Sequence, residues 1–396
     1  MKKKLLFVID SLHSGGAEKS LISLLHVLDY DHYDVDLLLF SKEGLYLPLV
    51  PSQVRVLDPL PYLQIQQKSI QSLLRERRFS VLVHRIGRAV ALRNPISFLP
   101  LHPAQINWKW LSKGMEPLDE KYDVAIAYSQ GMPTYYVATK VCAKRKLAWV
   151  NTDYEKARYH KKFDEFYYLQ FDYIVAVSKP NKETFMKSIP SVSKKVKVLN
   201  DLLGGSLIQK LATENLNKLE DFSGFKILTI GRLVEVKGYD LAIETCALLK
   251  ERGLDFKWYV LGDGPLKRKL KNKVKQLKID EEFFFLGTTT NPFPIIEQCD
   301  VYVQTSLYEG FGLAIAEARL CNKPIISTNF TGVEYQIKHQ ANGFIVNRDP
   351  IQLANTIQLV LQDEKVRNRI IETLKMEKKE NIEGIEKFYD LIGDGL

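Results

Sequence analysis

Residues 301–318 read VYVQTSLYEGFGLAIAEA and combine a short apolar strand, a glycine-containing turn and the first turns of a helix. The unbroken run from Val301 to Gln304 predicts a buried strand, whereas the apolar spacing that begins near Leu313 is helical. Free N–H groups at the start of such a helix, together with its dipole, attract anions. The segment therefore predicts a parallel α/β sheet with an anion site at the carboxyl end of one strand.

The rest of the second half repeats this alternation of short apolar strands and helical segments. Further strands are predicted at 225–230, 258–261, 283–286 and 324–327. Five strands separated by helices predict a doubly wound, Rossmann-like sheet.

The first half opens in the same way, with an apolar run at 5–9, a turn containing Gly15 and Gly16, and a helical pattern. Further strand signatures lie at 35–40, 123–128, 147–150, 173–177 and 196–199. Because 396 residues exceed one ordinary domain, we predict two domains and a returning helix. The predicted segments are an N-terminal domain over 1–200, a C-terminal domain over 201–374, and a C-terminal helix over 375–396 that packs on the first domain.

The composition is that of an ordinary soluble globular protein, with 45% hydrophobic and 26% charged residues. The apolar run at 5–9 is too short for a signal-peptide core or a membrane span, so we expect a cytoplasmic N-terminus. The four cysteines are widely spaced and form no C-x-x-C pair, which predicts free thiols and no metal site. They are Cys142, Cys246, Cys299 and Cys321.

Two cations and two carboxylates lie at the predicted carboxyl ends of strands in the second half. Arg232 and Lys237 follow the strand at 225–230, and together they can neutralise a diphosphate without a metal ion. Glu309 precedes the helix that begins near Leu313, and Glu317 projects from its second turn. One carboxylate can therefore contact sugar hydroxyls and the other a ribose.

These residues resemble the motifs of the retaining family-four glycosyltransferases of the GT-B fold, over nearly the whole chain. Glu309 and Glu317, with seven residues between them, match the paired glutamates of the family, and Arg232 and Lys237 match its diphosphate-binding pair. The resemblance implies two facing Rossmann-like domains with a central cleft, the first binding the acceptor and the second the nucleotide sugar. It also implies retaining, metal-independent hexosyl transfer without a cofactor, with a UDP-sugar as donor. The residues that it assigns to donor binding are Gly15, Gly16, Gly231, Gly262, Gly264, Phe311, Gly312, Leu313 and Glu317.

One position departs from the family pattern. After the strand at 147–150 the family often carries an active-site histidine, whereas this chain has Asn151. Asparagine can hydrogen-bond a sugar hydroxyl but cannot accept a proton. We assign Asn151 to the catalytic set with Glu309, Arg232 and Lys237, and retain the alternative of a non-catalytic subunit that binds a partner enzyme or a glycan.

Basic residues are concentrated between 64 and 116, where nine Lys or Arg and two Glu give a net charge of +7. If residues 75–93 form one helix, an apolar face from Phe79 to Val90 is flanked by arginines. Such a helix can lie on an anionic membrane, with Trp108 and Trp110 as interfacial anchors. The arginines assigned to the membrane are Arg77, Arg78, Arg85 and Arg88.

This basic surface predicts a peripheral protein on the inner face of the cell membrane, with a lipid-linked or glycan acceptor, as in capsule and other cell-envelope polysaccharide assembly. Two alternatives remain for the basic segment. It can be a solvated helix face without a partner, or it can bind nucleic acid, although no nucleic-acid module accompanies it. We therefore expect no nucleic-acid partner.

Overall fold

The computed structural model describes residues 2–13, 15–93, 101–201, 219, 221–377 and 382–394. The chain divides into two compact units. The first unit comprises Met1–Leu202 with Ile382–Leu396, and the second comprises Leu203–Asn381. Each is an α/β unit with a parallel sheet, so the predicted pair of doubly wound, Rossmann-like sheets is confirmed.

The sheet of the first unit has seven strands in the order β3-β2-β1-β4-β5-β6-β7. The strands are β1 Lys3–Ile9, β2 Tyr33–Leu39, β3 Val54–Val56, β4 Lys121–Ala127, β5 Cys142–Val150, β6 Tyr173–Ala176 and β7 Val196–Val198. The helices before β4 are α1 Gly16–Val27, α2 Pro61–Gln67, α3 Ile70–Arg75, α4 Phe79–Arg93 and α5 Pro103–Leu111. The helices after it are α6 Met132–Lys140, α7 Lys161–Tyr168 and α8 Lys179–Ser188.

The second sheet has six strands in the order β10-β9-β8-β11-β12-β13. The strands are β8 Phe225–Ile230, β9 Phe256–Leu261, β10 Phe283–Gly287, β11 Val301–Gln304, β12 Ile325–Thr328 and β13 Phe344–Val346. The helices are α9 Tyr239–Glu251, α10 Lys267–Gln276, α11 Phe293–Gln298, α12 Leu313–Leu320, α13 Pro350–Gln362 and α14 Glu364–Met376. Burial of its central strands on both faces explains their continuous apolar sequences.

The last helix, α15 Ile382–Ile392, belongs to the first unit. Phe388 is fully buried and stacks on Phe7 of β1 with 6.3 Å between ring centroids. At the end of the helix, Asp394 accepts a 2.6 Å salt bridge from Lys3. The helix preceding it, α14, ends at Met376 in the second unit, so the segment that returns to the first unit begins at Ile382 and not at 375.

A buried carboxylate fixes the packing of α5, α6 and α7 in the first unit. Asp164 is 2% exposed and accepts hydrogen bonds of 2.6 Å each from Tyr135, Tyr154 and Gln105. Burial raises the pKa of Asp164, and the three donated hydrogen bonds oppose that rise. The two tyrosine hydroxyls therefore depend on the carboxylate for their acceptor, whereas Gln105 Nε2 also donates to the His160 carbonyl at 3.1 Å.

Candidate functional site

The second sheet reverses its strand order between β8 and β11, and the loops that follow these two strands lie side by side. The amide of Leu307 donates to the carbonyl of Val236 at 2.8 Å, and the Thr305 hydroxyl donates to the carbonyl of Lys237 at the same distance. Open α/β sheets bind their ligands at such a reversal, beyond the carboxyl ends of the strands. The sequence-predicted cations and carboxylates of this unit therefore lie on loops suited to a ligand.

An ion pair joins the two loops. Lys237 Nζ lies 2.6 Å from Glu309 Oε1 and 2.8 Å from Oε2. The two side chains are 22% and 11% exposed, so the pair is largely withdrawn from water but remains reachable. The structure thus brings together two predicted site residues that are 72 positions apart in the sequence.

Buried polar side chains at the end of β11 hold Glu309 in place. Its Oε1 also accepts hydrogen bonds from Gln304 Nε2 at 2.8 Å and Ser306 Oγ at 2.6 Å. Gln304 in turn accepts a short hydrogen bond from the Tyr302 hydroxyl. Because a carboxylate has about four acceptor positions, the oxygen with capacity for a further donor is Oε2.

Gln304 and Ser306 are not among the predicted site residues, although the sequence carries a signal for them. They are 2% and 0% exposed and close an otherwise apolar strand sequence. Buried polar side chains need hydrogen-bond partners, so the change from apolar to polar residues at the carboxyl end of a strand marks a supporting network. Here that network orients the carboxylate of Glu309.

Glycines allow the loops after β8 and β9 to approach each other closely. A Cβ atom at Gly262 would lie 2.0 Å from the carbonyl oxygen of Gly231, so a side chain cannot be accommodated there without a backbone shift. Gly264 packs similarly on the backbone of Leu233. The hydroxyl of Tyr239 donates to the Gly231 carbonyl at 2.6 Å and fixes the end of β8.

The glycine turn before α12 carries three further predicted residues. Gly312 caps the helix in the left-handed region, with φ of +83°, which favours glycine because it has no Cβ. Phe311 and Leu313 on either side are half-buried. Glu317 lies within α12 and is 2% exposed, so its carboxylate faces the interior of the unit, and its predicted contact with a ribose stays a prediction.

Arg232 lies on the same loop as Lys237 but is exposed, and across the described part of the chain its guanidinium has no ion-pair partner. Among the described contacts, Arg232 does not touch the Lys237–Glu309 pair. Its side chain can bind an anionic ligand without first breaking an internal salt bridge.

The remaining predicted residues belong to the first unit. Gly15 is the N-cap of α1, and Gly16 begins that helix. Asn151 directly follows β5, and its Nδ2 donates to the Tyr128 carbonyl at 2.8 Å. This bond fixes the orientation of the amide, and its buried Oδ1 accepts no hydrogen bond from any described residue. Asn151 therefore offers an acceptor oxygen but no base.

The basic segment is not one helix over 75–93, the condition under which the membrane-surface helix was considered, but two helices, α3 and α4. The chain breaks between α3 and α4, where Arg77 adopts a φ of +54°. Two amides close the end of α3: Arg78 donates to the Leu73 carbonyl at 2.9 Å and Arg77 to the Leu74 carbonyl at 3.1 Å. These two hydrogen bonds form a Schellman motif. The motif usually has a glycine where this chain has Arg77, so the sequence did not indicate it.

An apolar stripe on α4 is exposed. The stripe consists of four apolar residues that are spaced four, three and four positions apart and are each 54–61% exposed: Phe79, Val83, Ile86 and Val90. The opposite side of the helix is buried at Val81, and His84 and Gly87 on its flank lie against Trp110 of α5. We refer to the four exposed apolar residues as the α4 stripe.

The four arginines assigned to the membrane differ in their surroundings. Arg77 and Arg78 are exposed next to the α4 stripe. Arg85 donates to the Lys68 carbonyl at 2.7 Å, and burial lowers the pKa of the half-buried Arg88. The expected anchoring role of Trp108 is wrong, because this residue is 3% exposed and its indole donates to the Tyr167 hydroxyl at 2.8 Å.

The described residues contain neither a metal-binding cluster nor a helix able to span a membrane. Within those residues, no group of three or more His, Cys, Asp or Glu side chains is placed to hold a metal ion. None of the helices in the described ranges has the length and apolar character needed to cross a bilayer.

Comparisons with known proteins agree with this geometry. Residues 214–376 match the family model described as Glycosyl transferases group 1. A similar protein of Campylobacter jejuni is named N-acetylgalactosamine-N,N'-diacetylbacillosaminyl-diphospho-undecaprenol 4-alpha-N-acetylgalactosaminyltransferase. It is 25% identical over 375 residues, which cover 92% of this chain and 92% of the relative.

Another Campylobacter jejuni protein, an alpha-1,4-N-acetyl-D-galactosaminyltransferase whose name specifies a diphospho-undecaprenol-linked saccharide, is 25% identical over 95% of this chain and 94% of the relative. Among solved structures, HepE of Anabaena in complex with UDP-glucose is similar with a TM-score of 0.69. That likeness covers 98% of each chain at 17% identity, so it is a likeness of fold.

Proposed function

We propose that the chain is a glycosyltransferase that transfers a sugar from a nucleoside diphosphate sugar to a lipid-linked saccharide with retention of anomeric configuration; the family match over 214–376 and the GT-B fold of a similar structure support this. The observation that carries this proposal is the Lys237–Glu309 pair at the strand-order reversal of the second sheet. It supplies a cation for a leaving diphosphate and a carboxylate for sugar hydroxyls within one contact.

The charge of the leaving group is the main demand on such a site. A departing nucleoside diphosphate is stabilised best by donors that are already in place. Lys237 and the exposed Arg232 supply positive charge, and the glycine turn before α12 supplies backbone N–H groups. Glu309 Oε2, the less occupied carboxylate oxygen, accepts from a hydroxyl of the donor sugar.

In the proposed reaction the bond between the anomeric carbon and the diphosphate oxygen breaks, and the acceptor oxygen bonds to the same face of that carbon. The acceptor proton passes to the departing diphosphate. This route needs no protein base, and Asn151 cannot serve as one, because an amide cannot take up a proton. We expect the donor to be a UDP-sugar and the transfer to need no metal ion.

The acceptor class follows from the relatives, whose names specify saccharides on diphospho-undecaprenol. We propose an acceptor of the same chemical type, a saccharide linked through diphosphate to a polyprenyl lipid. Such a substrate lies at a membrane surface, so the enzyme needs a means of reaching that surface.

We assign that role to the α4 stripe and the adjacent Arg77 and Arg78, which together would bind an anionic membrane peripherally. Exposed apolar side chains favour membrane binding by entering the interfacial layer of the bilayer. Each basic residue near an anionic surface adds about 1 kcal/mol to the free energy of that binding. Arg85 and Arg88 contribute less, since one is bonded to a carbonyl and the other is half-buried.

The activity is tested by incubating the purified protein with a panel of nucleotide sugars and a polyprenyl-diphosphate-linked acceptor, and measuring release of nucleoside diphosphate. We expect release that persists in excess EDTA and falls about a hundredfold in Lys237→Ala. NMR of the product should show the anomeric configuration of the donor. No release from any donor would favour the non-catalytic alternative, and loss in EDTA with restoration by Mg²⁺ would refute the metal-independent proposal.

Membrane binding is tested by co-sedimentation with phosphatidylglycerol vesicles. Val83→Ser/Ile86→Ser and Arg77→Glu/Arg78→Glu should each reduce binding while leaving nucleotide binding intact. The matched control is Lys271→Glu/Lys275→Glu, which reverses two exposed charges on α10, where no apolar stripe is exposed. Equal loss in the control, or no binding by the unmodified protein at low salt, would contradict the assignment.

A further inference from the structure

The glycine turn before α12 is held by Gln336, a residue that no sequence motif marks. Gln336 is 4% exposed. Its Nε2 donates to the carbonyl of Phe311 in a short hydrogen bond and to the carbonyl of Gly312 at 3.2 Å. Both acceptors are carbonyl oxygens, so the orientation of the Gln336 amide is determined by its partners.

Peptide geometry gives these two hydrogen bonds a consequence for the opposite side of the turn. In a trans peptide the C=O and the next N–H point in opposite directions. The carbonyls of Phe311 and Gly312 share their peptide planes with the N–H groups of Gly312 and Leu313. Holding the two carbonyls toward Gln336 therefore directs these two N–H groups away from it.

Those N–H groups are available to a ligand. Neither the Gly312 nor the Leu313 amide has an acceptor among the residues that the structure describes. They stand at the start of α12, where the helix dipole favours negative charge. The left-handed conformation of Gly312 allows both to be presented from consecutive residues.

A series of hydrogen-bonded residues, buried at Asn342 and partly exposed at Glu377 and Arg319, holds Gln336 in turn. The Gln336 carbonyl accepts from Asn342 Nδ2 at 3.2 Å, and the same Nδ2 donates to Glu377 Oε1 at 2.6 Å. Glu377 Oε2 binds Arg319 in the last turn of α12, with Nη2 at 2.6 Å. This series therefore connects the N-terminal turn of α12 with its C-terminal end.

We propose that Gln336 is a positioning residue for the donor diphosphate: it fixes the Phe311 and Gly312 peptides so that two backbone N–H groups face the phosphate oxygens. The inference rests on the proposed function, because it takes a nucleoside diphosphate as the ligand. Gln336 does not touch that ligand and acts only through the backbone of the turn. It is kept in position by the hydrogen bonds that connect its backbone carbonyl with Asn342, Glu377 and Arg319.

The test compares three probes, UDP, inorganic pyrophosphate and uridine, by isothermal titration calorimetry on the full chain. Gln336→Leu removes the donor, and Gln336→Glu replaces it with a group that cannot donate when ionised. We expect UDP and pyrophosphate to bind about tenfold more weakly to Gln336→Leu, the scale on which loss of an orienting partner weakens a bound ligand. Gln336→Glu should bind them more weakly still, and uridine affinity should not change.

The matched control is Thr245→Val, which removes another buried side chain-to-backbone hydrogen bond, from Thr245 to the Leu241 carbonyl, within α9. It should leave all three affinities at the unmodified value. The role of Gln336 would be refuted, and the proposed function left standing, if a folded Gln336→Leu bound UDP with the affinity of the unmodified protein. The same conclusion would follow if its affinities for uridine and UDP fell equally. If the unmodified protein bound UDP no better than uridine, the proposed diphosphate site itself would fall, and with it this inference.

Discussion

Replacing Glu309 with Gln should tighten the binding of UDP while it impairs transfer from the intact donor. In the ligand-free protein the carboxylate accepts both short contacts from Lys237. A glutamine in its place can still accept from Gln304 and Ser306 through its oxygen. The same oxygen can keep the 2.6 Å contact with Lys237, but the NH₂ group replaces the acceptor at 2.8 Å and the negative charge is removed. Lys237 is therefore held less strongly and is more available to a phosphate.

The structure sets the size of this effect. Two unit charges about 4 Å apart attract each other by about 4 kcal/mol at the effective dielectric of a protein surface. Side chains that are 22% and 11% exposed lose most of this gain to desolvation and solvent screening. A net release of about 1 kcal/mol corresponds to roughly fivefold tighter UDP binding.

Titration of UDP into four proteins tests the reasoning: the unmodified chain, Glu309→Gln, Lys237→Met and the double variant. If Glu309 acts through Lys237, its substitution should tighten UDP binding less than twofold when Lys237 is already methionine, as double-mutant analysis requires. Turnover with the intact donor should fall about a hundredfold in Glu309→Gln, since a transition-state contact to the sugar is lost. Weaker UDP binding in a folded Glu309→Gln, or the same tightening in both backgrounds, would refute the argument.

Three further predictions concern the fold. Asp164→Asn should cost about 1 kcal/mol of unfolding free energy, because Tyr154 can rotate to accept, whereas Asp164→Leu leaves two buried tyrosine hydroxyls unpaired at about 1–3 kcal/mol each; urea unfolding followed by tryptophan fluorescence measures both. Burial raises the pKa of Asp164 above 3.8 in the folded state, so its contribution to the unfolding free energy is complete below pH 3.8 and is lost as the pH rises through the folded pKa. Asp164→Asn should remove this dependence of the unfolding free energy on pH. An unchanged dependence would contradict the assignment. Phe388→Ala should destabilise the first unit by about 3–5 kcal/mol, measured by thermal unfolding against an exposed control, Phe166→Ala. Cys142 is exposed and should react quickly with a disulfide reagent in the native state, whereas the other three cysteines are buried and should react slowly. Burial also raises the pKa of Cys299 to about 12, which disfavours its reactive thiolate. Rapid reaction of two or more thiols would contradict this prediction.

The sequence predicted the main strands because each buried strand in a parallel sheet is a continuous apolar run. It missed Val54–Val56 and Phe344–Val346, two strands of three residues, although Val196–Val198, which is equally short, was predicted. The break at Arg77 was also missed, because the residue that ends α3 in the left-handed region is not a glycine.

Site residues were predictable where a motif placed them and not where only the tertiary fold did. Lys237 and Glu309 could each be selected as candidates, but their contact depends on β8 lying beside β11, which the sequence order does not reveal. Gln336 lies in a segment without periodicity, and its role rests on two backbone carbonyls that no side-chain pattern reports.

The position of α15 also bears on how the protein is made. Lys3 of β1 donates to the carbonyl of Ile392, 389 residues later in the chain, and Phe388 of the same helix covers Phe7 and Trp149. At about 5–20 residues per second of synthesis, β1 leaves the ribosome tens of seconds before the helix that buries it. The whole second unit is translated in that interval, so the first unit waits with an exposed apolar surface until its last segment arrives.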